Sequence, residues 1–396
     1  MKEFEYKDKV KIPKLAFVDD MLDITKCGTA TKEMNEYTTD ALNKRKLQLS
    51  KDKCVRMHVA SKKAKKKKQG SDCETVLIDE WKTKKVKKEE SVKLEDEYSG
   101  KVELKTVESH LYLGDLVKSD GSNRDNVLAK AAKGRAIARD ILFILNDVYL
   151  GEFFFQALIL LRESLLLSVL TSNLEVSLNI TAHDLKILND VDLMLLRGAL
   201  KLSAKSSQCL IFLELGISSV EYTLKKKRLF YLFHLLTVTE PSLAKMVFDQ
   251  QVQRPCKDDW ANLVKKDLKD LNICLSFAEI LLLSKRKFKA IVKSACKDAC
   301  FRKLLSQKQK LSKGSEIDYI KFETQSYLKP GHGLPTETMR KIYHTRYRET
   351  YLKCNFPAQF SDKRCLSPCV NGEDREKHIF HCIYFSNRNE ISPTNV

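Results

Sequence analysis

The sequence has few features of a secreted, membrane-spanning or disulfide-stabilised protein. The segment 1–14 is densely charged and has no apolar core, so we expect no signal peptide. The most apolar stretch, 153–170, contains Arg162 and Glu163 in its middle. Because charges at that depth are costly in lipid, this stretch predicts a buried helix rather than a membrane span, and we expect no membrane partner.

Cysteine motifs and nucleotide-binding fingerprints are also scarce. The twelve cysteines are scattered, mostly alone, which excludes the dense framework of a small secreted scaffold. We therefore expect reduced thiols inside a cell, in the nucleus or cytoplasm. Gly114 and Gly121 form no dinucleotide fingerprint, no P-loop occurs, and no serine has a nucleophile motif around it. These absences leave no signature of a P-loop, dinucleotide-binding or serine-dependent enzyme.

The chain is strongly basic. Its 396 residues include 71 Lys and Arg against 52 Asp and Glu, a formal net charge of +19. Such a surplus favours a polyanionic partner, either nucleic acid or an acidic membrane face, although it also serves solubility. The hydrophobic content of 43% can support packed cores in two or three domains, which argues against a wholly disordered chain.

The N-terminal part alternates short apolar runs with charges. Residues 15–24 predict a strand, a tight turn at Asp19 and Asp20, and a second strand. The low-complexity basic run 61–68 should stay solvated because like charges repel each other. The mixed-charge segment 81–98 is expected to be a loosely packed excursion from the same sheet.

Helices are predicted to dominate from Asn126 onward, with a last helix over 336–351. Apolar residues recur at i, i+3, i+4 and i+7, which places them on one buried helix face. The stripes comprise Leu229, Leu232, Phe233 and Leu236, then Val264, Leu268 and Leu271, then Phe288, Ile291, Val292 and Ala295. Ser276 and Glu279 have the spacing of a capping box that opens a helix.

Several lysines surround the predicted helix that contains Phe288. They are Lys287, Lys289, Lys293 and Lys297. A solvated helix face explains such lysines by itself. A face that follows the phosphates of a nucleic acid explains them together with the net charge. The sequence leaves both interpretations open.

Asp19 and Asp20 are candidates for catalytic carboxylates. Nucleotidyl transfer by two metal ions needs carboxylates that bridge Mg²⁺ ions about 4 Å apart. Adjacent aspartates at the tip of a hairpin project that charge into one cleft, and apolar neighbours on either side would anchor the hairpin in a sheet. Asp-Asp between apolar residues also occurs in plain solvated turns, so the pair by itself leaves both interpretations open.

The neighbouring segments resemble those of reverse transcriptases from non-LTR retrotransposons. Phe17-Val-Asp-Asp20 looks like the (F/Y)-x-D-D motif of these enzymes, and 46–58 resembles the palm segment that follows it. A turn similar to their primer grip is formed by Tyr112, Leu113, Gly114 and Asp115. Segments similar to landmarks of their helical thumb are 161–165, 191–197 and 212–216. The order of these segments matches the family over nearly the whole chain.

The resemblance implies a role for each of these segments. Asp19 and Asp20 would bind Mg²⁺, the primer-grip-like turn would support the primer end, and the thumb helices would hold an RNA–DNA or DNA duplex through its backbone. The family also needs a third metal-binding aspartate on an earlier palm strand and a fingers domain, and nothing in 1–18 matches either. Met1 would then lie inside the palm domain, and we expect the chain alone not to copy RNA.

A cysteine–histidine cluster near the C-terminus predicts a zinc site. Its spacing, C-x3-C-x8-H-x3-C, supplies the four ligands that tetrahedral Zn²⁺ prefers. The candidate ligands are Cys365, Cys369, His378 and Cys382. Cys354 and His381 are spare candidates, and a set of reduced thiols is the alternative. Retrotransposon enzymes with a restriction-like endonuclease have a CCHC knuckle after the thumb that usually begins C-x2-C, one residue shorter than here.

These features predict a mainly helical chain with a small α+β N-terminal part. The predicted divisions are a partial palm, 1–60, a basic insert, 61–100, a primer-grip-like turn, 101–125, a helical thumb and connector, 126–350, and a zinc-knuckle lobe, 351–396. The resemblance implies a fragment of an RNA-directed DNA polymerase that binds RNA or an RNA–DNA duplex. The alternatives are a non-catalytic nucleic-acid-binding protein and a decayed reading frame without present function.

Overall fold

The chain is described here from a computed structural model. The described residues are 100–346, apart from 113, 240–241, 256–257 and 312–318, together with short segments between 5 and 96. Asp19, Leu113 and all six candidate zinc ligands lie outside the described residues. Within the described part helices predominate, which confirms the mainly helical fold class.

Short hairpins and one small mixed sheet make up the N-terminal part. Antiparallel pairs join β1 to β2, β3 to β4, β6 to β7 and β8 to β9, whereas β5 pairs with β7 in parallel. The strands are β1 (Glu5–Tyr6), β2 (Val10–Lys11), β3 (Lys14–Phe17), β4 (Asp20–Asp23), β5 (Val55–Arg56), β6 (Val92–Asp96), β7 (Gly100–Thr106), β8 (Ser109–Tyr112) and β9 (Asp115–Lys118).

The predicted hairpin beside the acidic pair is present. Strands β3 and β4 are antiparallel, with Leu15 opposite Leu22 and Phe17 opposite Asp20. This register makes Asp20 the first residue after the hairpin turn. The two predicted strands are therefore confirmed, with Asp20 at the start of the second strand rather than in the turn. The metal-binding role of the aspartates stays a prediction.

The segment between the basic run and the first long helix contains more strand than we predicted. Strand β6 pairs with β7 from Val92 opposite Leu104 to Asp96 opposite Gly100, so the end of the 81–98 segment does belong to a sheet. Strand β7 lies between β5 and β6 and is the central strand of that sheet. Strand β7 was not predicted from the sequence, which indicated a turn region there.

The described helices run from Arg124 to Arg346, as the periodicity predicts. They are α1 (Arg124–Asp147), α2 (Phe154–Leu161), α3 (Leu167–Thr171), α4 (Ala182–Leu200), α5 (Gln208–Leu215), α6 (Val220–Thr237), α7 (Leu243–Gln253), α8 (Trp260–Asp270), α9 (Phe277–Leu281), α10 (Lys285–Lys308) and α11 (Thr336–Arg346). Ser276 and Glu279 form the predicted capping box at α9, and Thr181 and Asp184 form another at α4. These side chains bond backbone N–H groups that a helix N-terminus leaves without partners.

The chain divides into two compact units. The first comprises Met1–Ala129, Val176–Ile180 and His234–Leu263, and the second comprises Lys130–Glu175, Thr181–Phe233 and Val264–Val396. The second, which we call the helical unit, contains the buried polar clusters and the basic helix described below.

The predicted apolar stripes lie in buried positions of the helices. Leu232 is fully buried and Phe233 nearly so, and the ring of Phe233 stacks on Phe288 with centroids 5.2 Å apart. The second stripe is buried as well, at Val264, Leu268 and Leu271. The third stripe is wrong at Ile291, which is 38% exposed. Val292, which was also predicted, lies on the buried face of α10, and Ile291 lies beside that face. Leu236 and Ala295 are half-buried.

One described segment, Gly151–Thr171, is long and apolar enough to cross a membrane by length and composition alone. Its mean hydropathy is 1.8, and 39% of it is buried; the core helix of a soluble protein passes the same test. Arg162 opens a π-helical turn in its middle and is 1% exposed. This segment is buried on one side only, because the side chains of Phe153 and Leu160 are 53% and 65% exposed.

Helix α11 packs on the C-terminal end of α4. The guanidinium Nε of Arg340 donates to the carbonyl of Ala199 at 2.7 Å, and Nε2 of His344 lies 3.0 Å from the carbonyl of Leu200. These carbonyls belong to the last turn of α4 and have no partner within the helix. Basic side chains at a helix C-terminus also interact favourably with its dipole, so these contacts attach α11 to the rest of the helical unit.

Candidate nucleic-acid interface

The primer-grip-like turn is a β-hairpin attached to the start of α1. Tyr112 is opposite Asp115 in the pairing of β8 with β9, and Gly114 has a φ of 85°, which glycine adopts without strain. Asn126 donates from Nδ2 to Asp115 Oδ1 at 3.2 Å and accepts from the backbone N–H of Leu116 at 3.3 Å. The turn is therefore held in place by a buried amide.

The three thumb-like segments meet at one buried ion pair. Arg162 donates from Nε and Nη2 to the two carboxylate oxygens of Asp192, each at 2.6 Å, and from Nη2 to the carbonyl of Ser218 at 2.8 Å. Both side chains are buried, at 1% and 0% exposure. The guanidinium carbon also lies 6.0 Å from the centre of the Phe212 ring. Residues from all three segments thus form a single contact.

A second buried carboxylate is bound by tyrosines far along the chain. Glu214 is fully buried and accepts hydrogen bonds from the hydroxyls of Tyr319 and Tyr327, both at 2.5 Å. Arg346 Nε lies 2.8 Å from Glu214 Oε1. Burial raises the pKa of Glu214, while the guanidinium and the two hydroxyls oppose that rise. The partners of Glu214 were not predicted from the sequence, because no spacing rule links residues so far apart.

The segment 323–325 approaches the end of α5 closely. The backbone N–H of Gln325 donates to the carbonyl of Glu214 at 3.0 Å, and Thr324 Oγ1 donates to the carbonyl of Leu215 at 2.8 Å. Gly216 ends α5 with a φ of 62°, and a Cβ added there would overlap the backbone of Glu323 and Thr324. This close approach explains why glycine occupies position 216.

Other charged groups of the helical unit are neutralised by acidic partners. Arg228 forms an ion pair with Asp267, and Lys225 lies 2.8 Å from Asp270. Burial raises the pKa of Asp267, and the guanidinium of Arg228 opposes the rise. Lys303 pairs with Glu221 at 2.7 Å. These cations serve the fold and are not free for a ligand.

The cysteines of the described part are free thiols. They are Cys209, Cys274, Cys296 and Cys300. Burial raises the pKa of Cys296 to about 12 and that of Cys300 to about 11. Buried thiols with raised pKa values are poor nucleophiles, so they offer no catalytic site.

Helix α10 carries basic residues that no described acidic side chain neutralises. Its single acidic residue is Asp298, and its first turn contains none. Four lysines recur at every fourth position, and we call them the lysine row. They are Lys285, Lys289, Lys293 and Lys297. Three are exposed and Lys289 is half-buried, and none forms an ion pair within the described part of the chain.

The lysine row borders an open concavity of about 540 Å³. Its lining residues are Lys285, Arg286, Lys289, Ala290 and Lys293, all from α10. Because its described lining comes from a single helix, the described part of the chain does not enclose a ligand there on several sides. Such a surface suits an extended anion that passes over it better than a small molecule, which needs a cleft that buries most of its surface.

Helix α10 is held in this orientation by its packing against α6. Tyr222 donates its hydroxyl to the carbonyl of Ala299 at 3.2 Å, and Phe233 stacks on Phe288. The ammonium of Lys289 lies 5.2 Å from the centre of the Phe230 ring, a cation–π distance. The buried side of α10 therefore determines which of its lysines face outward together.

The structure changes the set of lysines proposed from the sequence. Lys289, Lys293 and Lys297 share a side of α10, as expected. Lys287 is rotated by about 160° from Lys289, since each residue turns an α-helix by about 100°. Lys285 takes its place in the row, and Arg286 lines the concavity beside it. The four-residue spacing in the sequence was the signal that would have identified Lys285.

Most residues of the predicted metal sites lie outside the described part of the chain. Asp20 lies directly after its hairpin turn, whereas Asp19 and the candidate zinc ligands are outside the described residues. Among the described residues, no three His, Cys, Asp or Glu side chains form a group that could hold a metal ion.

Comparison with known proteins found no family model, no curated protein and no solved structure that matches this chain. The resemblance to reverse transcriptases therefore rests on the sequence segments named above. Within the described residues of the helical unit, the lysine row is the surface that the geometry offers to a ligand, and its chemistry is electrostatic attraction of an anion.

Proposed function

We propose that this chain is the C-terminal part of an RNA-directed DNA polymerase from a non-LTR retrotransposon, and that it binds RNA or an RNA–DNA duplex. The observation that carries the binding function is the lysine row, a series of cations without acidic partners in the described part. Nucleic-acid binding by lysine requires no catalytic residue and draws its free energy from the release of counterions condensed on the phosphates.

The contact between the three thumb-like segments supports the polymerase part of the proposal. The segments were chosen for their resemblance to a family, and no spacing rule requires their polar residues to touch. Arg162 and Asp192 nevertheless form a bidentate pair beside Phe212. Segments picked out by a chance resemblance are not expected to contain residues that contact one another.

In an intact relative, Asp19 and Asp20 would hold Mg²⁺, and their carboxylate oxygens are the donor type that this hard cation prefers. Bound Mg²⁺ would polarise the phosphoryl oxygens of the incoming nucleotide. The family needs a third aspartate on an earlier strand, and no residue among 1–18 matches it. With Asp19 and Asp20 as its only candidate catalytic carboxylates, this chain is proposed to bind its template without copying it.

Purified protein should bind an RNA–DNA duplex with steep salt dependence and show no template-directed synthesis in Mg²⁺. Each lysine–phosphate contact contributes about 0.9 to the slope of log K against log salt concentration, so four contacts predict a loss of about 100-fold between 50 and 200 mM salt. Fluorescence anisotropy measures the binding, and extension of a labelled primer measures the synthesis. Extension that disappears in the Asp19→Asn variant would show that the fragment is an active enzyme.

The cysteine–histidine cluster would form a zinc knuckle that binds single-stranded or structured RNA. A lobe of this size has little apolar area to bury, so metal binding would supply much of its folding free energy. Replacing Cys369 or Cys382 by serine should sharply lower the zinc measured by mass spectrometry of the native protein. The control is Cys209→Ser, a buried thiol of α5, which should leave the zinc content unchanged. Equal zinc content in all three variants would remove the metal from the proposal.

A non-catalytic nucleic-acid-binding protein is the second candidate function. It is favoured by the position of the lysine row on α10, since binding there uses none of the catalytic residues that the resemblance assigns to 17–20. Binding that is unchanged by Asp19→Asn and Asp20→Asn, with and without Mg²⁺, is the result expected for it. A gain in affinity with Mg²⁺ that both substitutions abolish would instead favour the polymerase fragment.

A further inference from the structure

We infer that the lysine row binds consecutive phosphates of one nucleic-acid strand, with one lysine to each phosphate. The inference rests on the proposed nucleic-acid-binding function and adds the way in which a strand is held. The row comprises Lys285, Lys289, Lys293 and Lys297, and it lies entirely on α10.

The spacing of the row matches a polynucleotide backbone. An α-helix rises about 1.5 Å per residue, so lysines four residues apart are separated by about 6 Å along the helix axis. This distance is close to that between neighbouring phosphates along one strand of A-form geometry. Each lysine is also rotated by about 40° from the previous one, and the flexible four-carbon stem of lysine allows every ammonium to reach the same strand.

The row is unfavourable for α10 as a free helix. Lys285 and Lys289, Lys289 and Lys293, and Lys293 and Lys297 are like-charge pairs at i and i+4, a spacing at which like charges destabilise a helix. Lys285, Arg286 and Lys287 also occupy the first turn, where the helix dipole disfavours cations. A bound polyanion would offset both the repulsion between the lysines and their unfavourable interaction with the helix dipole. A face that is only solvated does not require such a row of lysines.

The shape of the surface favours an extended partner over a small anion. Among the described residues, α10 alone lines the concavity beside the row, and Ala290 lies between the lysines, so these residues leave room for a chain to lie along it. An isolated phosphate would contact one or two ammonium groups, whereas a strand contacts all four. Lysine binds phosphate as a point charge, without the bidentate geometry of arginine, so binding should not depend on base sequence.

The first test replaces the whole row by glutamine in the full-length chain. Binding of a fluorescent oligouridine of about 12 nucleotides is measured between 50 and 200 mM salt. Each contact with a single strand contributes about 0.7 to the salt slope, so the slope should fall by about 2.8 and the affinity at 150 mM salt by about 100-fold. A matched control removes the same charge from exposed lysines of other helices. Its substitutions are Lys133→Gln, Lys186→Gln, Lys266→Gln and Lys269→Gln, and its slope should change by less than about 1.

The second test moves one charge without changing the net charge. In the double variant Lys293→Gln with Ile291→Lys, the lysine is displaced by about 160° around α10, because each residue turns the helix by about 100°. Ile291 is already 38% exposed, so a lysine there is accommodated. The salt slope of this double variant should fall by about 0.7, the same decrease that is expected for Lys293→Gln alone.

Thermal unfolding separates this role from a structural one. A variant with Lys285→Gln, Lys293→Gln and Lys297→Gln removes all three like-charge pairs but keeps the contact of Lys289 with Phe230, and its Tm should rise by about 2–4 °C in the absence of nucleic acid. A lower Tm would mean that the lysines support the fold, and the inference would be wrong. Added oligouridine should then stabilise the wild-type chain and have little effect on the row variant.

The outcomes distinguish the two proposals. If wild-type chain binds no oligouridine and no RNA–DNA duplex, both the proposed function and the inference fail. If it binds, and the row variant and the control variant lose affinity equally, net charge alone drives the binding and only the inference fails. If the row variant binds like wild type, the strand lies elsewhere on the chain and the lysine row has no role.

Discussion

Replacing Asp192 by alanine should lower the free energy of unfolding of the protein by about 3 to 5 kcal/mol. Arg162 is 1% exposed and makes three hydrogen bonds, two of them to Asp192. Loss of the carboxylate leaves a buried guanidinium whose charge is no longer balanced, and desolvation of that charge is the main cost. Urea denaturation followed by circular dichroism measures the change.

Two controls separate the buried charge from other effects of the substitution. Asp190→Ala removes an exposed carboxylate from the same helix, and its effect should stay within about 0.5 kcal/mol. The double variant Arg162→Met with Asp192→Val removes both charges and changes the summed side-chain volume little, so it should recover most of the lost stability. A double variant as unstable as Asp192→Ala would show that packing, rather than the unpaired charge, determines the loss.

Replacing Gly216 by alanine should destabilise the protein by about 3 kcal/mol or more, from two separable causes. The φ of 62° is one that alanine adopts only with strain. The added Cβ would also overlap the backbone of Glu323 and Thr324, which is held there by hydrogen bonds to the end of α5. The backbone has to move, and the contacts of Glu214 with the tyrosines should weaken with it.

Gly333 supplies the matched control. Its φ is also 62°, but a Cβ added there meets no atom within 4 Å. Its backbone N–H donates to Glu152 at 2.9 Å, and alanine keeps that donor. Gly333→Ala should therefore cost about 1 kcal/mol, the strain alone. Equal losses at the two positions would show that the close approach of 323–325 contributes nothing to stability.

Three buried charges within the thumb-like segments are structural. Arg162, Asp192 and Glu214 all lie within thumb-like segments, and all three are buried charges with charged or hydroxyl partners. Buried ion pairs and carboxylates tolerate few substitutions, because either partner alone is costly. These residues serve the packing of the helices, and a ligand-binding surface has to be sought among exposed residues such as the lysine row.

Local patterns in the sequence were enough to predict the helices, the hairpin beside Asp20 and the capping box of Ser276 with Glu279. Each of these depends on residues a few positions apart, whose relation is set by the periods of helix and strand. The same patterns were wrong at Ile291, because periodicity alone placed it on the buried face of α10 and its side chain is exposed. Periodicity gives the direction of a buried face, but the neighbouring helices determine its width.

The sequence by itself determined the helical class of this protein, its basic charge and the spacing of the lysine row, since these follow from composition and from repeats within one helix. Only the tertiary structure decided which charged side chains are paired with other groups of the protein. Arg162 meets Asp192 over 30 residues, and Glu214 meets Tyr319 over 105. Such pairs form because a charge that folding removes from water must find a partner among whatever groups the packing brings beside it. Lysines that the packing leaves outside, without acidic partners in the described part, are the ones available to a ligand.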